Sequence, residues 1–142
     1  MARAGIFTQM ADGATSGVVS GEAARGALAY LAEMSPDLRG AAIVAADGAV
    51  LAASAGDAER WREDVAALFE VADRAGAEAV EQVHIGTEQG EVFALRHAGL
   101  AAVAVTDRFA LASLTLFDLR SLLRDLAAGG DGSAGEARPD GA

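Results

Sequence analysis

Residues 40–54 read GAAIVAADGAVLAAS, residues 57–76 read DAERWREDVAALFEVADRAG, and residues 80–107 read VEQVHIGTEQGEVFALRHAGLAAVAVTD. The first stretch is a pair of apolar runs broken at Asp47-Gly48, a strong hairpin signal. The second carries Trp61, Val65, Leu68 and Ala72 at helical spacing, with Phe69 widening the stripe. Arg60, Arg62, Glu63, Glu70 and Asp73 mostly take its other side. The third stretch is three strands with tight connections. This order is not the strand-helix alternation of a doubly wound nucleotide-binding sheet. It specifies a five-stranded antiparallel sheet of the α+β class.

Working outward, Ser20 can cap a first helix to about Met34, with Ala24, Ala27, Leu28, Leu31 and Met34 on one face. Ser35-Pro36 stops it, because a residue before proline avoids the helical region. Asp57 caps the second helix and Gly76 ends it. A last helix over about 109–128 aligns Leu116, Leu119, Leu123 and Leu126, while Leu111, Leu114, Phe117 and Leu122 enlarge its apolar surface. The domain thus covers residues 21–128 in the order α-β-β-α-β-β-β-α. Apolar residues at both parities of the first two strands demand helices on both faces of the sheet. Residues 1–20 predict a flexible segment with a docking patch at Ile6–Met10, and residues 129–142 a disordered tail too poor in large apolar residues to repay ordering entropy.

Turn chemistry sets the expected registers. A loop Ala46-Asp47-Gly48 with a left-handed glycine opposes Val44 with Val50 and Ile43 with Leu51. A loop Glu88-Gln89-Gly90, again ending in a left-handed glycine, opposes Val83 with Leu95 and Ile85 with Phe93. In that register His84 and His97 point to opposite faces. The third strand, expected at 80–88, is long, free of proline and reads as a sheet edge that invites pairing.

The 142 residues fit one domain with ends, and the net charge of −10 argues against nucleic acid and against an anionic membrane surface. Alanine dominates the apolar content, so each core position contributes little area and a dimer would add burial. The absence of cysteine excludes disulfides, thiol nucleophiles and thiolate metal sites. With no signal-like start and no apolar run near ~18 residues, the expectation is a cytoplasmic protein without membrane insertion.

No residue set announces chemistry. His84 and His97 fall short of the three or four ligands a metal site needs, and Ser54, His84 and Asp107 lack any nucleophile-elbow setting. Neither a GxxxxGK[ST] nor a GxGxxG loop occurs, so no nucleotide cofactor is expected. Arg60, Arg62 and Arg74 could be read as catalytic arginines toward a GTPase, but a solvated face pairing with Glu63, Glu70 and Asp73 is the simpler account. Trp61, near the start of its helix, fits an interface anchor or a ring packed on its own sheet.

The stretches LRGAAIVAADGAVLAAS (38–54), EQVHIGTEQGEVFALRHAGLAAVAVTD (81–107) and FALASLTLFDLRSLLRDLA (109–127) together resemble a roadblock (dynein light-chain type) domain. The resemblance implies a profilin-like sheet with the second helix on one face and the terminal helices on the other. It implies a homodimer in which third strands join and second helices pack side by side, placing Trp61, Val65, Leu68, Phe69, Val83 and Ile85 at the contact. It further implies a non-enzymatic role with a Ras-like small GTPase, as scaffold or as an activator that donates no arginine. The competing expectation is a PAS-like or profilin-like module that senses a small molecule or acts as a scaffold, with no GTPase partner.

Overall fold

Ser20 Oγ accepts the Ala23 amide at 3.0 Å and opens helix α1, Gly21–Met34. The computed structural model describes residues 19–76 and 79–129, so the expectations for 1–18 and 130–142 lie outside the described residues. After α1 come β1 (Leu38–Ala45), β2 (Val50–Ala53), α2 (Ala58–Ala75), β3 (Gln82–Gly86), β4 (Glu91–His97), β5 (Leu100–Thr106) and α3 (Ala112–Ala128). The strands form one antiparallel sheet in the order β2-β1-β5-β4-β3, which leaves β3 at an edge. Both the α+β class and the element order agree with the sequence reading.

Two cores sandwich the sheet. On one face α1 supplies Ala24, Leu28 and Leu31, and α3 supplies Leu119, Leu123 and Leu126, against Ile43, Phe93 and Leu95. On the other, Val65 and Phe69 of α2 pack on Val44, Ala94 and Val103. The buried alanines 41, 42, 94, 102 and 104 keep the central strands thin, so the helices approach closely but each position buries little apolar area.

The first hairpin has the expected three-residue loop, with Gly48 at φ 93° and Val44 opposite Val50. Ile43, however, faces Ala52 rather than Leu51, because a bulge inserts Leu51 as an extra residue. The bulge lets Leu51 and Ala52 both reach the α1/α3 core.

The β3–β4 hairpin departs further from expectation. Its loop is the two residues Glu88-Gln89, closed by the Thr87 amide on the Gly90 carbonyl at 2.8 Å. Thr87 Oγ1 accepts the Gln89 and Gly90 amides at 3.2 and 3.1 Å and so satisfies the turn without a left-handed residue. Ile85 therefore opposes Val92, and Val83 opposes Ala94. His84 opposes Phe93 and lies on the same face as His97, contrary to the sequence reading. The pairing puts the histidines four residues apart along the strands, about 13 Å, too far to share an ion. β3 is also shorter than the expected span of 80–88.

The β4–β5 hairpin turns on Ala98 (φ 54°) and Gly99 (φ 80°), the geometry of a type I′ turn. Alanine in this region costs about 1 kcal/mol that asparagine largely avoids. Ala98→Asn is expected to raise the thermal midpoint by about 4 °C, measurable by circular dichroism.

Candidate functional site

Asp57 Oδ1 accepts the Glu59 amide at 3.3 Å and starts α2, whose first turn brings Trp61 over Gly40 of β1. Trp61 lies across Gly40: a Cβ there would meet Cζ2 of the ring at 3.4 Å, so the missing side chain provides the indole's seat. The indole N–H donates to the Ala55 carbonyl, tying the ring to the loop before α2. Trp61 is thus half-buried on its own sheet with one edge outward.

Beyond it runs an open cleft of about 610 Å³ between α2 and the β5–β4–β3 surface. Its walls are Trp61, Leu68, Ile85, Val92 and Val105, with Arg39, Arg60 and Asp64 at the rim. Of the six residues that the resemblance puts at a contact, Val65 and Phe69 are buried against the chain's own sheet. Trp61, Leu68 and Val83 are half-buried, and Ile85 is 40% exposed. Trp61, Leu68 and Ile85 line the cleft, while Val83 packs against the core beneath α2.

β3 adds a second element. The Glu81 carbonyl accepts the Arg96 amide at 2.8 Å, and the Thr87 amide reaches Gly90. By the alternation of an antiparallel ladder, the backbone groups of Gln82, His84 and Gly86 face away from β4. The free edge and the apolar cleft are contiguous through Ile85.

The α2 arginines pair within their helix: Arg60 with Asp64 at 3.5 Å, Arg62 with Glu59 at 3.7 Å and Arg74 with Glu70 at 2.7 Å. Only Glu70 among these acidic partners was expected. Such exposed pairs add little stability.

Two networks escape the sequence reading, one because it joins residues far apart in the chain and one because it depends on the β3–β4 register. Asp73 accepts Arg96 Nη2 at 2.9 Å and the Val80 amide at 2.9 Å, so it anchors the end of α2 to the start of the meander. The Arg96 guanidinium also lies over the Phe69 ring at 4.0 Å. The Arg96 hydrogen bond, aided by the Val80 amide, holds the Asp73 carboxyl below its ordinary range.

At the edge strand, His84 Nε2 lies 2.5 Å from Glu91 Oε1, and its ring stacks on Phe93 at 4.4 Å between centroids. Glu91 Oε2 accepts the amide of Phe109, a residue held at φ 67°. The His84 hydrogen bond, with a smaller contribution from the Phe109 amide, lowers the Glu91 carboxyl below its ordinary value. A depressed carboxylate stabilises the fold above the unfolded pKa, and that contribution is lost as pH falls through the folded value. Glu91→Gln should therefore be less stable than the natural chain at about pH 6, with the gap closing toward about pH 3. Urea unfolding at several pH values checks this; a constant gap would contradict it.

Among the described residues no group of three or more metal-ligating side chains comes together, and no helix is long and apolar enough to cross a membrane. The geometry is that of a binding surface: an apolar cleft beside an unpaired strand.

Comparison with solved structures bears directly on this arrangement. A Roadblock/LC7 domain from Streptomyces avermitilis superposes with a TM-score of 0.64 at 18% identity, over 72% of this chain and 92% of that one. The fold is the roadblock fold. MglB from Myxococcus xanthus shares it at a TM-score of 0.59 and 12% identity, covering 75% of this chain and 86% of its own. LokiProfilin1, solved with rabbit actin, matches at 0.55 and 18%, covering 78% and 98%, which places the profilin-like sheet in the same comparison. Neither a protein-family model nor a curated protein sequence matches the chain. In the roadblock fold of this chain, α2 lies alone on one face of the sheet and α1 with α3 on the other.

Proposed function

We propose that the chain is a non-enzymatic roadblock homodimer that binds a Ras-like small GTPase and regulates or scaffolds it. The observation that carries the dimer is the free β3 edge, continuous with the cleft walled by Trp61, Leu68 and Ile85. Two copies related by a two-fold axis would pair β3 with β3 and bring the α2 helices side by side. Leu68, Val83, Ile85 and the outer edge of Trp61 make the contact, with Val65 and Phe69 packed beneath them as its rigid base.

The GTPase follows from the roadblock resemblance of the sequence, and the roadblock fold that this chain shares with MglB supports it. The pairing of Arg60, Arg62 and Arg74 within their own helix favours a partner role that donates no arginine. A small-molecule sensor would need several polar groups converging in a pocket. The cleft beside α2 instead has apolar walls, and its charged groups stand at the rim.

The test has two arms. Sedimentation velocity at tens of micromolar should show a dimer, and monomer alone would refute the assembly. Ras-like small GTPases from the same genome, each loaded with GTPγS or GDP, should include one that binds with a nucleotide-dependent Kd in calorimetry. Failure of every such GTPase would refute the partner while leaving the dimer standing.

A further inference from the structure

The α1/α3 side carries apolar surface that the sheet does not cover. Tyr30 is 64% exposed, Met34 54% and Phe117 58%, although all three stand on well-packed helices. Together with Leu122 they line a groove of about 510 Å³ between α1 and α3. Its charged lining is Asp118 and Asp125, with no cation among the residues that form it. Asp118 is half-buried and makes no ion pair among the described residues. Burial accordingly pushes its carboxyl above the ordinary range. An anionic group at an apolar groove is best matched by a ligand that is itself apolar and carries a cation.

We propose that the chain's own residues 3–10, RAGIFTQM, occupy this groove. Arg3, Ile6, Phe7 and Met10 recur at i, i+3, i+4 and i+7, so a two-turn helix would present one cation and three apolar side chains on a single face. Arg3 is the only charged side chain in the first ten residues, which opposes it to Asp118 and Asp125 without a competing carboxylate. The tether has the right origin and reach. Val19 packs against the α1/α3 core, so the chain enters the domain on this face. Residues 11–18 can span up to about 28 Å, more than the roughly 21 Å length of the 14-residue α1, so Met10 can reach either end of the groove. The α2 cleft is a poorer seat, since its charged lining is balanced, Arg39 and Arg60 against Asp57 and Asp64, whereas the α1/α3 groove is lined by carboxylates alone. Seated this way, the segment covers Tyr30, Met34 and Phe117 and competes with any outside partner for that face.

The absence of cysteine makes a single spin label straightforward. Gly26 is exposed on α1 beside the groove, and a side chain there meets nothing within 4 Å, so Gly26→Cys carries the label without disturbing packing. In the full chain, that label is expected to quench the amide resonances of Ile6, Phe7 and Met10, whereas a label at Glu63→Cys on α2 leaves them visible. Phe7→Asp should restore the quenched signals while the resonances of residues 21–128 stay in place, and Phe7→Leu should keep them quenched. Absence of quenching, or equal quenching from both labels, overturns the proposal. Quenching that transfers undiminished to a mixture of labelled chains with unlabelled ¹⁵N chains would assign the segment to a second copy, and overturns it as well.

Discussion

Gly90→Ala is expected to lower stability by about 3 kcal/mol, the upper end of what a forced steric clash in a packed site costs. Gly90 is buried where three elements converge. A Cβ built on it would collide with the Thr106 carbonyl oxygen and with Arg39 Nη2. Neither obstacle yields easily. The Thr106 carbonyl belongs to β5, which pairs with both β1 and β4. Arg39 Nη2 donates to that carbonyl at 3.2 Å and to the Gln89 carbonyl, while its Nε reaches Asp107 at 3.3 Å. Relief of the clash must therefore shift the β3–β4 turn, break the arginine bridge, or both. A domain of this size responds by losing more than about 12 °C of thermal midpoint. Gly86→Ala is the internal control: a Cβ there meets nothing within 4 Å, so its stability should change by less than about 0.5 kcal/mol. Equal midpoints for the two alanine variants would show that the turn gives way without cost.

The same turn shows why part of the fold was legible in sequence and part was not. Ser20 and Asp57 cap their helices as expected because a cap is a contact across two or three residues, written in adjacent letters. Gly48 takes the left-handed position for the same local reason. At 87–90 a glycine at the end of the loop invited the same reading, but the Thr87 hydroxyl supplies an alternative closure. One residue of slip in a strand turns every side chain over. That slip moved His84 from isolation to a bond with Glu91, and so hid the link from β3 through Glu91 to Phe109. The helical stripe of α2 told which residues face inward, whereas the division between Val65 and Phe69 beneath and Trp61 and Leu68 at the rim depends on how far the sheet extends under the helix. Phe109 also illustrates a limit of apolar patterning. The apolar pattern puts it at the start of the last helix, yet it sits at φ 67° outside it, and α3 begins at Ala112.

Gly86→Pro is expected to convert the proposed dimer to monomer while leaving the domain folded. The backbone alternation of β3 places the Gly86 N–H on the free side, away from β4, so proline removes a donor that the monomer does not use. Proline is tolerated at such edge positions, and a Cβ at Gly86 meets nothing within 4 Å. In a β3–β3 pairing the same change leaves a carbonyl of the opposite strand without its donor, at about 1–3 kcal/mol. A two-fold axis imposes this twice, so affinity should fall at least about thirtyfold, since 1.4 kcal/mol is a factor of ten. Sedimentation velocity reads the loss, and the thermal midpoint of the monomer reads the fold. An unchanged sedimentation coefficient would remove β3 from the interface and leave the α2 cleft alone to account for any dimer. A fallen midpoint would mean instead that the Gly86 amide serves the chain itself, and that the edge is not free.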